Sequence, residues 1–258
     1  AMVFSSVSIS DRTADDLPNW NRVGLDHIDA DDGAILRRRV HVPHWWHGRR
    51  VFLRFDAVYP AGTFYLDGQR LGSHFSGLTP VEFDVTDIVT PGHDAVVSVR
   101  LHRRHPFVRM DMPRHACDFA GLAQSACLFA AELCHVADYH LQTDIDELFA
   151  NGVLTGSVRI TNQAEADRAG TLRVTVSDEK EDRDVASVSV AVRVGAGATQ
   201  TAEVSVPVPN PKLWNDEYPN LYAVTIVLEV DGQETQQTVF NCGFRRFELQ
   251  HERPTLNG

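Results

Sequence analysis

The sequence predicts an all-β protein made of two β-sandwich domains, and three observations carry that prediction. Apolar and polar residues alternate strictly in row after row, the pattern of strands with one buried face. Turn signals rich in Gly, Asp and Pro separate the rows. The chain has 258 residues. That length accommodates about ten to fifteen such strands, which suits two sandwiches better than one.

The rows appear in order. Val81, Phe83 and Val85 alternate with Glu82, Asp84 and Thr86, and Val97, Val99 and Leu101 with Ser98 and Arg100. In the second half Leu172, Val174 and Val176 point one way while Arg173, Thr175 and Ser177 point the other. Similar rows run through Val188 to Val194, Val204 to Val208 and Val224 to Val230. Asp67-Gly68 lies between Phe64-Tyr65-Leu66 and Gln69-Arg70-Leu71 and reads as a tight hairpin, because Asp and Gly tolerate the positive φ such turns require. Asn151-Gly152 and Asp231-Gly232 are assigned the same role. Pro91-Gly92, Gly195-Ala196-Gly197 and the run from Pro207 to Pro211 mark longer loops. Gly121 to Cys134 is rich in Ala, Leu and Glu, a composition that locally suits a helix. The domain boundary is expected near Val136 to Tyr139.

Composition narrows the partners. With a net charge of -11, a nucleic-acid backbone is excluded as a natural partner. No apolar run reaches the roughly 18 residues that cross a bilayer, so no membrane is expected. Ala1 to Ser10 is too short and polar for a signal peptide, and a cytoplasmic location is expected, with processed secretion left open. Cys117, Cys127, Cys134 and Cys242 form no CxxC pair. They are expected to be free, buried thiols of a reducing compartment.

Three stretches carry a family resemblance. Arg37 to Val42 reads RRRVHV and precedes Pro43. Val51 to Thr86 contains the hairpin Tyr65-Leu66-Asp67-Gly68, followed by Gly72, His74, Gly77, Pro80 and Asp84. The end of the chain has LWNDEYPNLYAVTIVL from Leu213, NCGFRRFEL from Asn241 and the closing Leu256-Asn257-Gly258. In order and spacing these resemble glycoside hydrolase family 2, which includes β-galactosidases, β-glucuronidases and β-mannosidases. The resemblance implies a galactose-binding-like jelly roll over residues 1–136 and an immunoglobulin-like sandwich over 137–247. Residues 248–258 would be a linker toward a C-terminal TIM barrel. It also makes the Ala-rich segment from Gly121 a strand. There the family's usual arginine is missing, since the residues read Gly121-Leu122-Ala123-Gln124-Ser125.

Retaining glycosidases of this family need two glutamates about 5–5.5 Å apart, one as acid/base and one as nucleophile. The acid/base follows an asparagine, and this sequence has no Asn-Glu dipeptide. No catalytic residue is therefore assigned. The family's first sandwich can lend an acid to the sugar through the loop before its last strand. Asp118 is the nearest match and Asp111 the second, each as an acceptor for sugar hydroxyls. His44-Trp45-Trp46-His47 lacks two further zinc ligands, and its Trp pair is expected to pack at a sandwich edge. His102 and His105, flanked by Arg103 and Arg104, are expected in solvent. Cys134-His135 has no partner at metal-site spacing. Trp214, Tyr218 and Tyr222 are expected at the core or corner of the second sandwich. No metal or cofactor is expected.

The implied function is that of the non-catalytic N-terminal portion of a β-glycosidase that retains configuration. It would buttress the barrel and shape one wall of the sugar pocket, with the barrel and the parent's carbohydrate substrate as partners. A free-standing carbohydrate-binding module, or a subunit that assembles with a separately encoded barrel, is the alternative.

Overall fold

A computed structural model describes residues 6–8, 21–22, 34–102, 121–178, 180–250 and 253–257. The chain divides into two compact units between Ala131 and Glu132. Among the described residues no helix is long and apolar enough to cross a membrane.

Among its described residues the first unit holds eleven short strands: β1 (Ser6–Ser8), β2 (Asn21–Arg22), β3 (Ile35–His41), β4 (Arg50–Phe55), β5 (Val58–Tyr59), β6 (Gly62–Leu66), β7 (Gln69–His74), β8 (Val81–Asp84), β9 (Asp94–Leu101), β10 (Gly121–Leu122) and β11 (Ala126–Ala131). They form a four-stranded sheet in the order β1-β11-β4-β8, a five-stranded sheet in the order β2-β3-β9-β6-β7 and the small pair β10-β5. Leu53, Phe55 and Leu128 from one sheet and Phe64, Leu66, Val97 and Val99 from the other are sealed from solvent in a common core. The rings of Phe55 and Phe64 lie 4.7 Å apart and those of Phe64 and Phe83 lie 5.1 Å apart, which fixes the spacing of the layers. At the tip of the β6–β7 hairpin Asp67 has φ 49 and Gly68 has φ 82, as the dipeptide requires.

The Ala-rich segment is extended, not helical. β11 pairs antiparallel with β4 along its whole length, from Ala126 opposite Phe55 to Ala131 opposite Arg50. Ala126, Leu128 and Ala130 turn into the core while Cys127 and Phe129 do not. Its period is two, and pairing with a central strand outweighs a helix propensity of a few tenths of a kcal/mol per residue, an order-of-magnitude figure.

The second unit has β12 (Cys134–Ile145), β13 (Asn151–Asn162), β14 (Arg168–Asp178), β15 (Arg183–Val194), β16 (Thr199–Pro209), β17 (Tyr222–Val230) and β18 (Gln233–Cys242). One sheet is β12-β13-β16 and the other β15-β14-β17-β18. This is a seven-stranded, immunoglobulin-like sandwich. Val158, Ile160 and Val206 pack against Leu172, Val174, Val224 and Leu228. A further hairpin, β19 (Phe247–Gln250) with β20 (Arg253–Leu256), occupies the stretch expected as a linker.

Two turn assignments need correction. Asp231 (φ 51) and Gly232 (φ 79) do form a hairpin turn, but Asn151 and Gly152 begin β13. The turn lies earlier, where Asp146 accepts from Ala150 N–H at 2.7 Å and Asn151 Nδ2 at 2.8 Å. Gly152 serves close packing instead, since a Cβ there would sit 2.6 Å from the Phe244 ring. Pro207 and Pro209 likewise belong to β16 and not to a loop. That strand is at a sheet edge, and residues two apart share an orientation, so both missing N–H groups fall on the unpaired side.

Candidate functional site

Asp118, Asp111, Cys117 and His105 lie outside the described residues. The other candidates are placed. His44–Trp46 form a single 3-10 turn in which Trp46 is buried and Trp45 is 58% exposed, edge-on to His44 at 4.9 Å. The pair is thus one core anchor and one surface ring. His102 is not simply solvated: its Nε2 shares a 2.8 Å hydrogen bond with Thr63 Oγ1. Thr63 is a buried polar residue, which draws the imidazole down onto it. Tyr222 is core and its phenol accepts from Lys212 N–H at 2.8 Å, whereas Tyr218 is 66% exposed. Cys127, Cys134 and Cys242 carry free thiols, and burial raises the Cys242 thiol to about 11, which leaves it a poor nucleophile. Among the described residues no group of three or more His, Cys, Asp or Glu is placed to hold a metal ion.

Carboxylates converge at two places among the described residues, and a cation occupies each. Asp178 and Glu181 meet Lys212 Nζ at 2.9 and 2.5 Å, and Asp56 and Glu82 flank Arg54 at 2.8 and 3.9 Å. The Lys212 hydrogen bonds hold both the Asp178 and Glu181 carboxyls below their usual range. Hydrogen bonds from Ala150 and Asn151 do the same for Asp146. A general acid for glycoside cleavage needs the opposite, a carboxyl raised enough to carry its proton.

The motifs at the end of the sequence converge instead on one corner of the second sandwich. Phe244 is sealed in the core, edge-on to Tyr222 at 5.4 Å. Gly243 lets Trp214 come close, for a Cβ there would sit 2.8 Å from Trp214 Cβ and Cγ. The Arg245 guanidinium lies 4.6 Å over the Trp214 ring, and Arg246 contacts both Asp144 oxygens at 3.3 Å. Asn257 then fastens the terminal hairpin. Its Oδ1 accepts from Arg246 N–H at 3.0 Å, its N–H donates to Arg246 O at 2.8 Å, and its Nδ2 donates to Trp214 O at 3.0 Å. The sequence placed Trp214 near a corner but carried no signal for Asp144.

Beside this corner lies an open groove of about 690 Å³, floored by Gln142, Thr143, Asn241 and Gly243 and walled by Trp214 and Phe247. Leu221, Val239, Phe247 and Leu249 of the same unit are 41%, 53%, 69% and 74% exposed. Such a surface offers apolar contact and polar anchoring, the character of a protein-docking face.

The profile of "Glycosyl hydrolases family 2, sugar binding domain" matches residues 26–129, and that of "Glycosyl hydrolases family 2" matches residues 134–245. The chain is 28% identical over 243 residues to a beta-galactosidase of Halalkalibacterium halodurans, covering 90% of this chain and 22% of that protein. It is 24% identical over 274 residues to a beta-glucuronidase of Bacteroides fragilis, covering 99% of this chain and 38% of that one. The fold agrees with solved Bacteroides uniformis beta-glucuronidase 2 at a TM-score of 0.80 and 22% identity, over 99% of this chain and 34% of the other. The chain thus spans well under half the length of these relatives. With both sandwiches matched in order along the sequence, the chain belongs to glycosyl hydrolase family 2.

Proposed function

We propose that this chain is the non-catalytic N-terminal portion of a β-glycosidase, which buttresses a catalytic barrel and shapes one wall of its sugar pocket. The parent protein cleaves β-linked glycosides with retention, through two glutamates that the barrel supplies. Residues 1–136 form the sugar-binding-type sandwich, 137–247 the immunoglobulin-like sandwich, and 248–258 lead toward the barrel. Asp118, and secondarily Asp111, accept hydrogen bonds from sugar hydroxyls without moving a proton. The free thiols of Cys127, Cys134 and Cys242 favour a reducing cytoplasm.

The observation that carries this reading is the corner where Trp214, Gly243 to Arg246 and Asn257 interlock. It fixes the direction in which the chain leaves the sandwich, next to exposed Leu221, Phe247 and Leu249. A covering domain would bury that apolar surface at about 25 cal/mol per Å². The test is Phe247→Ser/Leu249→Ser, made both in this chain and in the longer parent protein proposed for it. The variant should leave this chain's melting temperature unchanged and lower that of the longer protein by several degrees. Equal melting of the longer protein with and without the substitutions would reject the docking role.

A further inference from the structure

The groove beside the Trp214 corner follows the free edge of β12, a strand that pairs with β13 on its other side. In an antiparallel pair alternate residues bond to the neighbour, and the residues between them point N–H and C=O out of the sheet. Asp146 N–H donates to Asn151 O at 2.8 Å, which fixes the phase. Asp144, Gln142 and His140 therefore bond to β13, and Tyr139, Leu141, Thr143 and Ile145 face the open edge.

Side chains cap this edge on both sides of the groove. Val136 donates its N–H to Gln236 Oε1 at 2.7 Å, and its C=O accepts from Gln236 Nε2 at 3.3 Å. Asp138 Oδ1 accepts from Tyr139 N–H at 3.0 Å, and Asp144 Oδ1 from Ile145 N–H at 2.8 Å. Leu141 and Thr143 line the groove, and their edge N–H and C=O groups meet no protein partner among the described residues. Proteins cover such edges against unwanted pairing, and here the cover stops where the groove begins. Leu221, Phe240 and Phe247 supply apolar lining, and Arg245 is the charged residue among the lining side chains. Arg245 lies over Trp214 and meets no carboxylate among the described residues, for nearby Asp144 is held by Arg246.

We propose that the groove takes an extended polypeptide segment, which adds a strand to β12 at Leu141 and Thr143, lays apolar side chains on Phe240 and Phe247, and brings a carboxylate to Arg245. The covering domain supplies the segment, so the inference rests on the docking role above and says how the docking is made. Leu141 and Thr143 stand about 7 Å apart on one edge, and a strand presents matching N–H and C=O groups at that repeat. Asn257 Nδ2 fastens the terminal hairpin to Trp214 O at 3.0 Å, so a domain that follows the hairpin begins beside the groove. A sugar finds less to stack on, because Trp214 already carries Arg245 at 4.6 Å and Phe240 carries Tyr139 at 5.1 Å.

The test is amide exchange by nuclear magnetic resonance on this chain, with and without an acetylated hexapeptide amide of alternating valine and threonine that carries one glutamate. Alone, the chain should exchange the Leu141 and Thr143 amides fast and the Gln142 amide slowly. The peptide should slow both edge amides and bind with a Kd of about 1 mM or tighter. The same peptide N-methylated at alternate residues should not bind, and lysine in place of its glutamate should weaken binding about threefold. Thr143→Pro removes an N–H that the ladder does not use and should weaken binding about tenfold. Thr143→Val loses the same hydroxyl bond to Gly243 O but keeps that N–H, and should bind as the unaltered chain does. In the parent proposed above, both amides should be slow with no peptide added. The inference fails if the peptide leaves both amides fast, if the N-methylated or lysine peptide binds equally, or if protection falls on β18 instead. It also fails if the amides are slow in the chain alone and quicken on dilution, which would make a second copy the occupant. If Phe247→Ser/Leu249→Ser destabilises the parent while these amides stay fast in it, the docking role stands and the added strand is wrong.

Discussion

Replacing Asn162 with alanine tests what ties the two sheets of the second sandwich together. Asn162 ends β13 in the three-stranded sheet and is 0% exposed. Its Nδ2 donates to the carbonyls of Ala166, Val194 and Gly195 at 2.9, 3.0 and 3.1 Å. Its Oδ1 accepts from Ala164 N–H at 3.0 Å. Val194 ends β15 in the other sheet, so a single side chain spans the sandwich. Alanine replaces none of these bonds. The buried Ala164 N–H then lacks a partner, at a cost of about 1–3 kcal/mol. The three carbonyls share only two hydrogens and tolerate under-satisfaction better, so together they add roughly as much again. The sum, about 2–6 kcal/mol, is a large share of the roughly 5–15 kcal/mol that holds a domain folded. With a mid-range urea slope of about 2 kcal/mol per M, the unfolding midpoint of this sandwich should fall by about 1–3 M. Far-UV circular dichroism in urea measures it. A fall of less than about 0.3 M would refute the reasoning, because the buried backbone groups would then have found other partners.

Three further outcomes are expected. Gly243→Ala places a methyl against Trp214 Cβ and Cγ; it should cost about 1–3 kcal/mol and disturb the Arg245 stack, read by melting and by tryptophan fluorescence. The Lys212 hydrogen bond and, after it, the N–H groups of Lys180 and Glu181 lower the Asp178 carboxyl from its ordinary 3.8. Its folded value lies below its unfolded one, so the stabilisation is present above the ordinary value and is lost as pH falls below it. Lys212→Met should therefore make melting temperature less steep in that acid range, and an unchanged slope would show the ion pair to be idle. In the parent enzyme proposed above, Asp118→Asn should lower kcat/KM by about ten- to a hundredfold with no change in melting. Unaltered kinetics there, or a loss that tracks unfolding, would remove Asp118 from the sugar site.

Much of the fold was legible because burial imposes a period of two. Leu172, Val174 and Val176 read as one inward row and are buried as one. Asp67-Gly68 and Asp231-Gly232 read as turns because their backbone needs positive φ, and both have it. Asn151-Gly152 misled because Gly there answers a tertiary demand, the approach of Phe244, that no local pattern records. Pro207 and Pro209 misled because their tolerance depends on β16 being an edge strand, a fact of topology. The corner was half legible: Trp214 and the Gly-Phe-Arg-Arg run stood out, but Asp144 lies 102 residues from its partner Arg246 and gave no local sign.

The central claim is that these two sandwiches serve a glycosidase without performing its chemistry. The most direct measurement compares turnover of aryl β-galactoside, β-glucuronide and β-mannoside by this chain and by the barrel-bearing parent proposed for it. The account predicts none from the chain alone and hydrolysis of at least one substrate by the longer protein, abolished when a barrel glutamate is changed. Turnover that belongs to this chain, and disappears when one of its own acidic residues is replaced, would contradict it.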